Sequence, residues 1–411
     1  MLVWNEFRND ARVLKEAQTL QSAGHEVTVF ALHTPGVTLP SEILPGNIGV
    51  KRVGRSPFWK LRKRSNSLAS ANSNAMAGPV PHLKPYKRVL RIAARLWTHM
   101  GLLWSIVKYR PDVVHSHDVN TLPTSWLAAR ISQAHLVYDA HEISTSREGY
   151  SSFRRLVAVV EQKLMPRADG TITTTTARAK FFARAYAVNR PLVLQNRPRF
   201  QCVKKSNRIR DELNLANPWP IVLYQGGIQQ GRGLERLVRV AAKVPDTYFV
   251  FIGGGRLEKS LYSIVSELNL QERVHFISTV ALDELLSYTA SADVGVQPIE
   301  NTCLNHYTTD SNKLFEYIQA GLPVVASDLP EIRQIVTKHN LGLLVKPGCD
   351  ESLGFAIRLL INDKEKREHH AKQALISAHA LSWETQEKEL IDLYQRVLFS
   401  PSRTRKGAHD A

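Results

Sequence analysis

Cysteine is scarce in this 411-residue chain: Cys202, Cys303 and Cys349 are the only three, and no two form a CxxC pair. That excludes a disulfide framework and a cysteine zinc site, and it reads as reduced thiols in a cytosolic protein. No GxxxxGK[ST] occurs, which excludes an ordinary P-loop NTPase. There is no DxD motif and no His/Cys cluster at ligand spacing. The opening "MLVWNEFRNDARVLKEA" has no basic segment followed by an apolar one, and no signal peptide is expected. Acid is missing where base is dense. Residues 51–110 hold fourteen Lys or Arg and no Asp or Glu, leaving only +3 of the formal +17 for the rest of the chain. Such a block seeks a polyanion: nucleic acid, an anionic membrane surface or a phosphorylated ligand.

What is present reads as a soluble globular chain of two domains, with 43% apolar and 22% charged residues. Short apolar runs alternate with helical patterns in both halves. The first half has "EVTVFAL", "PDVVHSH", "AHLVYDA", "DGTITTT" and "PLVLQN". The second has "PIVLYQGG", "TYFVFIGGG", "RVHFI", "ADVGVQP", "LPVVAS" and "GLLV". Between them, Leu234, Leu237, Val238 and Ala241 recur at i, i+3, i+4 and i+7, the stripe of a helix packed on a sheet. Buried strands without strict alternation, separated by helices, predict an α/β protein of two doubly wound parallel sheets. The polar, proline-bearing stretch 196–220 is the expected boundary. Ligands of such sheets bind at the carboxyl ends of the strands, which points to the cleft between the domains.

In "TTDSNKLFEYIQAGLPVVASDLPE" (308–331), Asp310 or Ser311 can cap a helix from Asn312 to Ala320, ended by Gly321. Leu314, Phe315 and Ile318 form its apolar face and leave Glu316 on another side. The helix start suits a phosphate, and Glu316 one turn in could accept from ribose hydroxyls. Equally, it could be a solvated glutamate that favours a helix N-terminus. A second strand–glycine loop–helix unit, "YQGGIQQGRGLERL", brings Gly226, Gly227, Gly231, Gly233 and Arg232. A third, "FIGGGRLEKSL", includes Gly253. Three such units together with Arg232 and Lys313 point to phosphate binding, which one glycine loop alone would not.

"PDVVHSHD", "LVYDAHE", "ADGTITTT", "GGIQQGRGLERLV", "FVFIGGG", "ADVGVQP", "NKLFEYIQAGLPVVASDLPE" and "LSWETQEKELIDLY" stand in the order and spacing of family-4 glycosyltransferases. The chain resembles these retaining enzymes of the GT-B fold, of bacterial envelope polysaccharide type, over nearly its whole length. The resemblance implies two Rossmann-like domains with an inter-domain cleft: an acceptor domain at 1–198 and a nucleotide-sugar domain at 199–380. It further implies a helix at 381–398 crossing back to the first domain, before a basic tail at 399–411. The donor is then a nucleotide-diphosphate sugar, the acceptor a saccharide or lipid-linked molecule, and no metal is required. Glu316 matches the ribose-gripping second glutamate of the family's E-x7-E motif, and Thr308 stands where the first glutamate addresses the donor sugar. Arg232 matches the basic residue that neutralises the leaving diphosphate, whereas Gly227 stands where its partner arginine is expected. Lys313 either supplies that charge or is an ordinary surface lysine. Gly226, Gly253, Ser311, Asn312 and Leu314 complete the implied donor set. His117, beside Asp118, matches the second histidine of the HxH loop near the reacting sugar, and otherwise ends a buried strand bonded to backbone. His141 and Glu142 resemble an acceptor-side loop, or only fix it. The family begins with a full apolar strand; here "MLVW" is short, so either the strand is short or the sequence starts inside it.

The basic stretch 84–108 carries Val89, Ile92, Leu96, Leu103, Trp104 and Val107 between arginines, which excludes a transmembrane span. It reads as an interfacial amphipathic helix, with Trp59, Trp97 and Trp104 at the headgroups of an anionic membrane, or as a core helix with a solvated face. Residues 63–85 read as a mobile loop. The resulting expectation is a cytoplasmic sugar transferase, peripheral on the inner face of the membrane. Competing readings are a catalytically lapsed GT-B-like protein, a nucleotide-sugar epimerase, and a basic nucleic-acid-binding protein. The last lacks any helix-turn-helix, RNP or finger motif.

Overall fold

The structure, a computed structural model, describes residues 1–8, 10–55, 85–147, 150 and 153–399. Trp59, most of the 63–85 loop and the tail from 400 lie outside these. The β-branched and aromatic runs form strands, and the apolar stripes form helices laid on both faces of two sheets.

The first sheet joins β1 (Thr28–His33), β3 (Ile48–Gly54) and β2 (Ser41–Leu44) in the order β1-β3-β2. Its other half is β4 (Val113–His117), β5 (His135–Ala140), β6 (Gly170–Thr173) and β7 (Leu192–Val193), in that order. The pairings are parallel except for the β2–β3 hairpin. That hairpin escapes the sequence reading because its second strand, "IGVKRVG", overlaps the basic block. "MLVW" enters as isolated parallel bridges: Leu2 pairs with Phe30 on one side and Ser116 on the other, joining β1 to β4. Leu2 N–H donates to His115 and His117 N–H donates back to Leu2.

The second sheet is six-stranded and wholly parallel, ordered β10-β9-β8-β11-β12-β13. These are β8 (Ile221–Gln225), β9 (Tyr248–Ile252), β10 (Val274–Ile277), β11 (Val294–Gln297), β12 (Val324–Ser327) and β13 (Gly342–Val345). The helix Leu234–Ala241 buries its whole expected stripe, Leu234, Leu237, Val238 and Ala241, against β8 and β9. Each buried leucine or valine of the stripe contributes about 1.5–3 kcal/mol on leaving water. Strand order reverses between β8 and β11, so the crevice over their carboxyl ends is where a ligand has room.

After the second sheet the chain returns to the first. Trp383 and the helix Glu384–Phe399 bury Leu390, Leu393, Tyr394 and Val397 in the core of the N-terminal sheet. Trp383 Nε1 donates to Thr19 Oγ1, and Tyr394 Oη lies 2.8 Å from His115 Nδ1. The helix Pro85–Tyr109 divides along its length. Leu102, Leu103 and Ile106 pack into the same domain, whereas Val89, Leu90, Ile92, Leu96, Trp97, Met100 and Trp104 are exposed. Of the apolar positions read from the sequence, Leu103 is a core residue and Val107 packs partly buried against that core, whereas Val89, Ile92, Leu96 and Trp104 are exposed.

Candidate active site in the cleft

A cavity of about 800 Å³ lies between the two sheets, in the size range of small-molecule sites. From the second sheet it is lined by Arg232, Ser311, Asn312, Lys313 and Glu316, and from the first by Arg12, His141, Glu142, Thr174 and Arg178.

The C-terminal wall is built from β8 outward. Gln225, its last residue, donates through Nε2 to Glu316 Oε2 at 2.6 Å, and Thr289 Oγ1 donates to Gln225 Oε1 at 2.8 Å. Glu316 is thus a held carboxylate at the cavity wall, not a solvated one. The helix Asn312–Gln319 starts at Ser311, in the strained conformation φ 55°, ψ 131°, with no side-chain cap. The expected Asp310 cap is absent because its carboxylate accepts from Gln195 Nε2 instead. Ser311, Asn312 and Lys313 line the cavity, so the partial positive charge of the helix start lies at the cleft wall.

Lys313 is not a surface lysine. Its ammonium lies over the Tyr224 ring, 5.4 Å from the centroid, and burial beside Arg232 lowers its pKa to about 8. Gly226, at φ +114°, makes room for it: a Cβ there would stand 2.5 Å from Lys313 Cε. Gly253 likewise lets its loop meet the Gly226 carbonyl. Gly227 is different, because a Cβ would meet only Gln229 Cγ, at 3.5 Å. Among the described residues neither Arg232 nor Lys313 forms an ion pair. Leu314 is fully buried in the core and offers the cavity no side chain.

The N-terminal wall differs from the sequence expectation. His117 ends β4, but its ring is buried, stacks on His115 with centroids 4.3 Å apart, and does not line the cavity. Burial lowers its pKa, so it is neutral. His141, one residue past β5, lines the cavity in its place. The register sets His117 opposite Asp139, which puts the Asp139 carboxylate behind both rings, 3.5 Å from His117 and 2.9 Å from His141. Burial opposes a charged His141, yet Asp139 and Asp118 lift it to about 9. It is an imidazolium at neutral pH, a hydrogen-bond donor and not a base. Asp118 and Glu142 both pair with Arg147.

Asp139, Arg12 and Arg178 were not singled out by sequence reasoning. Arg12 Nε and Nη2 donate to both Asp139 oxygens at 2.7 and 3.0 Å. Against the burial that would raise it, Arg12 and His141 hold Asp139 well below the usual carboxylate range. Arg12 and Glu16 stand at i and i+4 beside the buried Val13, Ala17 and Leu20, and charges on an apolar face were the signal available. Glu16, His115, His117 and Asp139 also place ligand-type atoms within 4.8 Å of one another, a buried group that motif spacing could not reveal. The Arg12 guanidinium, 3.1 Å from Glu16 and 2.7 Å from Asp139, already sets a positive charge there.

Thr308 is 3% exposed; its Oγ1 accepts from Arg178 and donates to Leu304. Contacts of this kind tie the walls together: Asn305 exchanges two hydrogen bonds with the backbone of Ile143, and Thr175 donates to the Thr308 carbonyl.

Two family models match, "Glycosyl transferase 4-like domain" over residues 10–196 and "Glycosyl transferases group 1" over 205–376. The chain is 26% identical over 397 residues to a sulfoquinovosyl transferase of Arabidopsis thaliana, covering 92% of this chain and 67% of the relative. It is 25% identical over 419 residues to a D-inositol 3-phosphate glycosyltransferase of Nocardia farcinica, covering 96% and 86%. The structure of HepE from Anabaena in complex with UDP-glucose superposes with a TM-score of 0.71 at 17% identity, over 96% of this chain and 98% of that one. Two Rossmann-like parallel sheets face each other across a cleft, and one of the matching models falls on each, so the chain belongs to the group 1 glycosyl transferases and has the GT-B fold.

Proposed function

We propose that this chain is a retaining glycosyltransferase that moves a hexosyl unit from a nucleotide-diphosphate sugar to an acceptor hydroxyl in the cleft. In this reading, residues 1–198 bind the acceptor, 199–380 bind the donor, and 381–398 brace the first domain. The observation that carries it is the convergence of Arg232, Lys313 and the helix start at Asn312 on one wall, beside the held carboxylate of Glu316. Two cations and a row of N–H groups fit a diphosphate, and they stabilise charge that grows as it departs. Glu316 accepts from the ribose hydroxyls. With this positive charge supplied by side chains, the reading invokes no metal. On the other wall His141 donates to an oxygen of the reacting sugar, and Asp139 fixes its ring.

The test is a thermal-shift screen of the full chain with UDP, GDP, ADP and CDP. A diphosphate of one base at 100 times its Kd should stabilise by about 2.7 kcal/mol. No shift with any of them would sink the donor reading.

The acceptor is proposed to be lipid-linked, in envelope or exopolysaccharide synthesis, with the first domain resting on the anionic inner face of the membrane. Trp97 and Trp104 are 63% and 72% exposed on the helix Pro85–Tyr109. Leu127 and Ile131 on the adjoining helix, and Leu156 and Val159 on the next, extend the exposed apolar surface beside Arg91, Arg130, Arg154 and Arg155. Basic residues near an anionic surface contribute about 1 kcal/mol each. Among the described residues, no helix is long and apolar enough to cross a membrane.

A further inference from the structure

Arg178 is 6% exposed and follows the cap of the helix Thr176–Tyr186, lining the cleft next to His141 and Thr174. Its guanidinium is held entirely by neutral acceptors. Nε donates to Thr308 Oγ1 at 3.2 Å, Nη1 to the His141 carbonyl at 2.6 Å and to Thr174 Oγ1 at 2.5 Å, and Nη2 to the Asn305 carbonyl at 3.2 Å. That uses four of the five N–H groups of an arginine. Among the described residues, no carboxylate pairs with it. The acids that act on it from further away are Asp310, Glu142, Glu331 and Asp118. Each is already engaged: Asp310 by Gln195, Glu142 and Asp118 by Arg147, and Glu331 by the Ala177 N–H.

A buried charge without an opposite charge is costly, and proteins rarely keep one without a partner. The partner need not be protein. Resting on the donor reading above, we infer that Arg178 receives an anionic group carried by the reacting sugars. That group is a carboxylate, sulfonate or phosphate ester on the transferred unit or on the acceptor. Arg178 stands on the wall opposite Arg232 and Lys313, so the anion it meets is not the donor's diphosphate. Thr308 is what leaves the charge available. A glutamate in its place would set a carboxylate against Nε and neutralise the guanidinium internally. Threonine offers only a hydroxyl, which steers the fork without cancelling it.

The experiment uses calorimetry on the full chain. Titration with UDP, GDP, ADP and CDP first identifies the base; binding of none refutes the donor reading itself. With that base, the nucleotide-diphosphate glucose and glucuronate are then compared. In a second arm, protein saturated with the nucleoside diphosphate is titrated with glucose, glucuronate and glucose 6-phosphate. A charge-assisted fork predicts that the acidic ligand of one arm binds roughly tenfold to a hundredfold tighter than its neutral partner. A preference in the first arm places the anion on the donor, and in the second on the acceptor. Thr308→Glu and Arg178→Gln should each reduce the preference to less than threefold, with nucleoside diphosphate binding in the same sample reporting an intact cleft. Equal affinity for acidic and neutral ligands in both arms of the wild-type protein overturns the inference while leaving the donor reading standing. So does a preference that survives Thr308→Glu.

Discussion

Replacing Asp139 by Asn tests whether one buried carboxylate organises the acceptor-side wall. It accepts from Arg12 at 2.7 and 3.0 Å, lies 2.9 Å from His141 Nε2, and is fully buried. Asparagine preserves the volume and one acceptor but removes the charge that Arg12 and His141 face. Breaking a buried pair from one side costs about 3–5 kcal/mol, because the other charge stays in place. Glu16, 3.1 Å from Arg12, offsets part of that, so the lower end is expected. Urea unfolding at pH 7 measures it. A second readout is the His141 titration, followed by the imidazole proton resonances. Burial opposes the charged ring, but Asp139 and Asp118 raise its pKa from 6.5 to about 9. Because the folded value is the higher one, its contribution to stability is complete below pH 6.5 and is lost as the pH rises through 9. In Asp139→Asn the titration should move down by more than one pH unit. A stability loss under about 1 kcal/mol with an unmoved His141 titration would refute the network as drawn.

Four further outcomes are expected. Lys313 is charged below its lowered pKa of about 8, so affinity for a nucleoside diphosphate should fall as pH rises through 8; Lys313→Met should weaken binding about tenfold and abolish that slope. Gly226→Ala sets a Cβ 2.5 Å from Lys313 Cε at φ +114° and should cost about 1–3 kcal/mol in a melt, whereas Gly227→Ala should stay within about 0.5 kcal/mol. Glu316→Ala should weaken donor binding by calorimetry more than Thr308→Ala, since only Glu316 lines the cavity; equal, negligible effects would sink the assignment. Trp97→Ser with Trp104→Ser should release the protein from anionic vesicles in a flotation assay, and wild-type binding that ignores salt would count against the basic face.

Periodicity and punctuation decided much in advance. Runs such as "PIVLYQGG" and "TYFVFIGGG" are apolar on both faces, a pattern suited to strands covered by helices, and they form two adjacent interior strands of the six-stranded sheet. The stripe from Leu234 to Ala241 turned inward for the same local reason. That Glu316 and Arg232 stand at the cavity wall was legible because helix starts and glycine loops are local chemistry. What sequence spacing could not decide is which charge meets which. Arg12 reaches Asp139 across 127 positions, and Arg178 reaches Thr308 across 130. Strand register then set Asp139 behind His117, and burial withdrew His117 from the cavity and left His141 at its wall. Residue types along the chain determined the elements and their faces, because those depend on neighbours a few positions away. The electrostatics of the cleft depends on distances between elements far apart in sequence, and only the packed structure decided them.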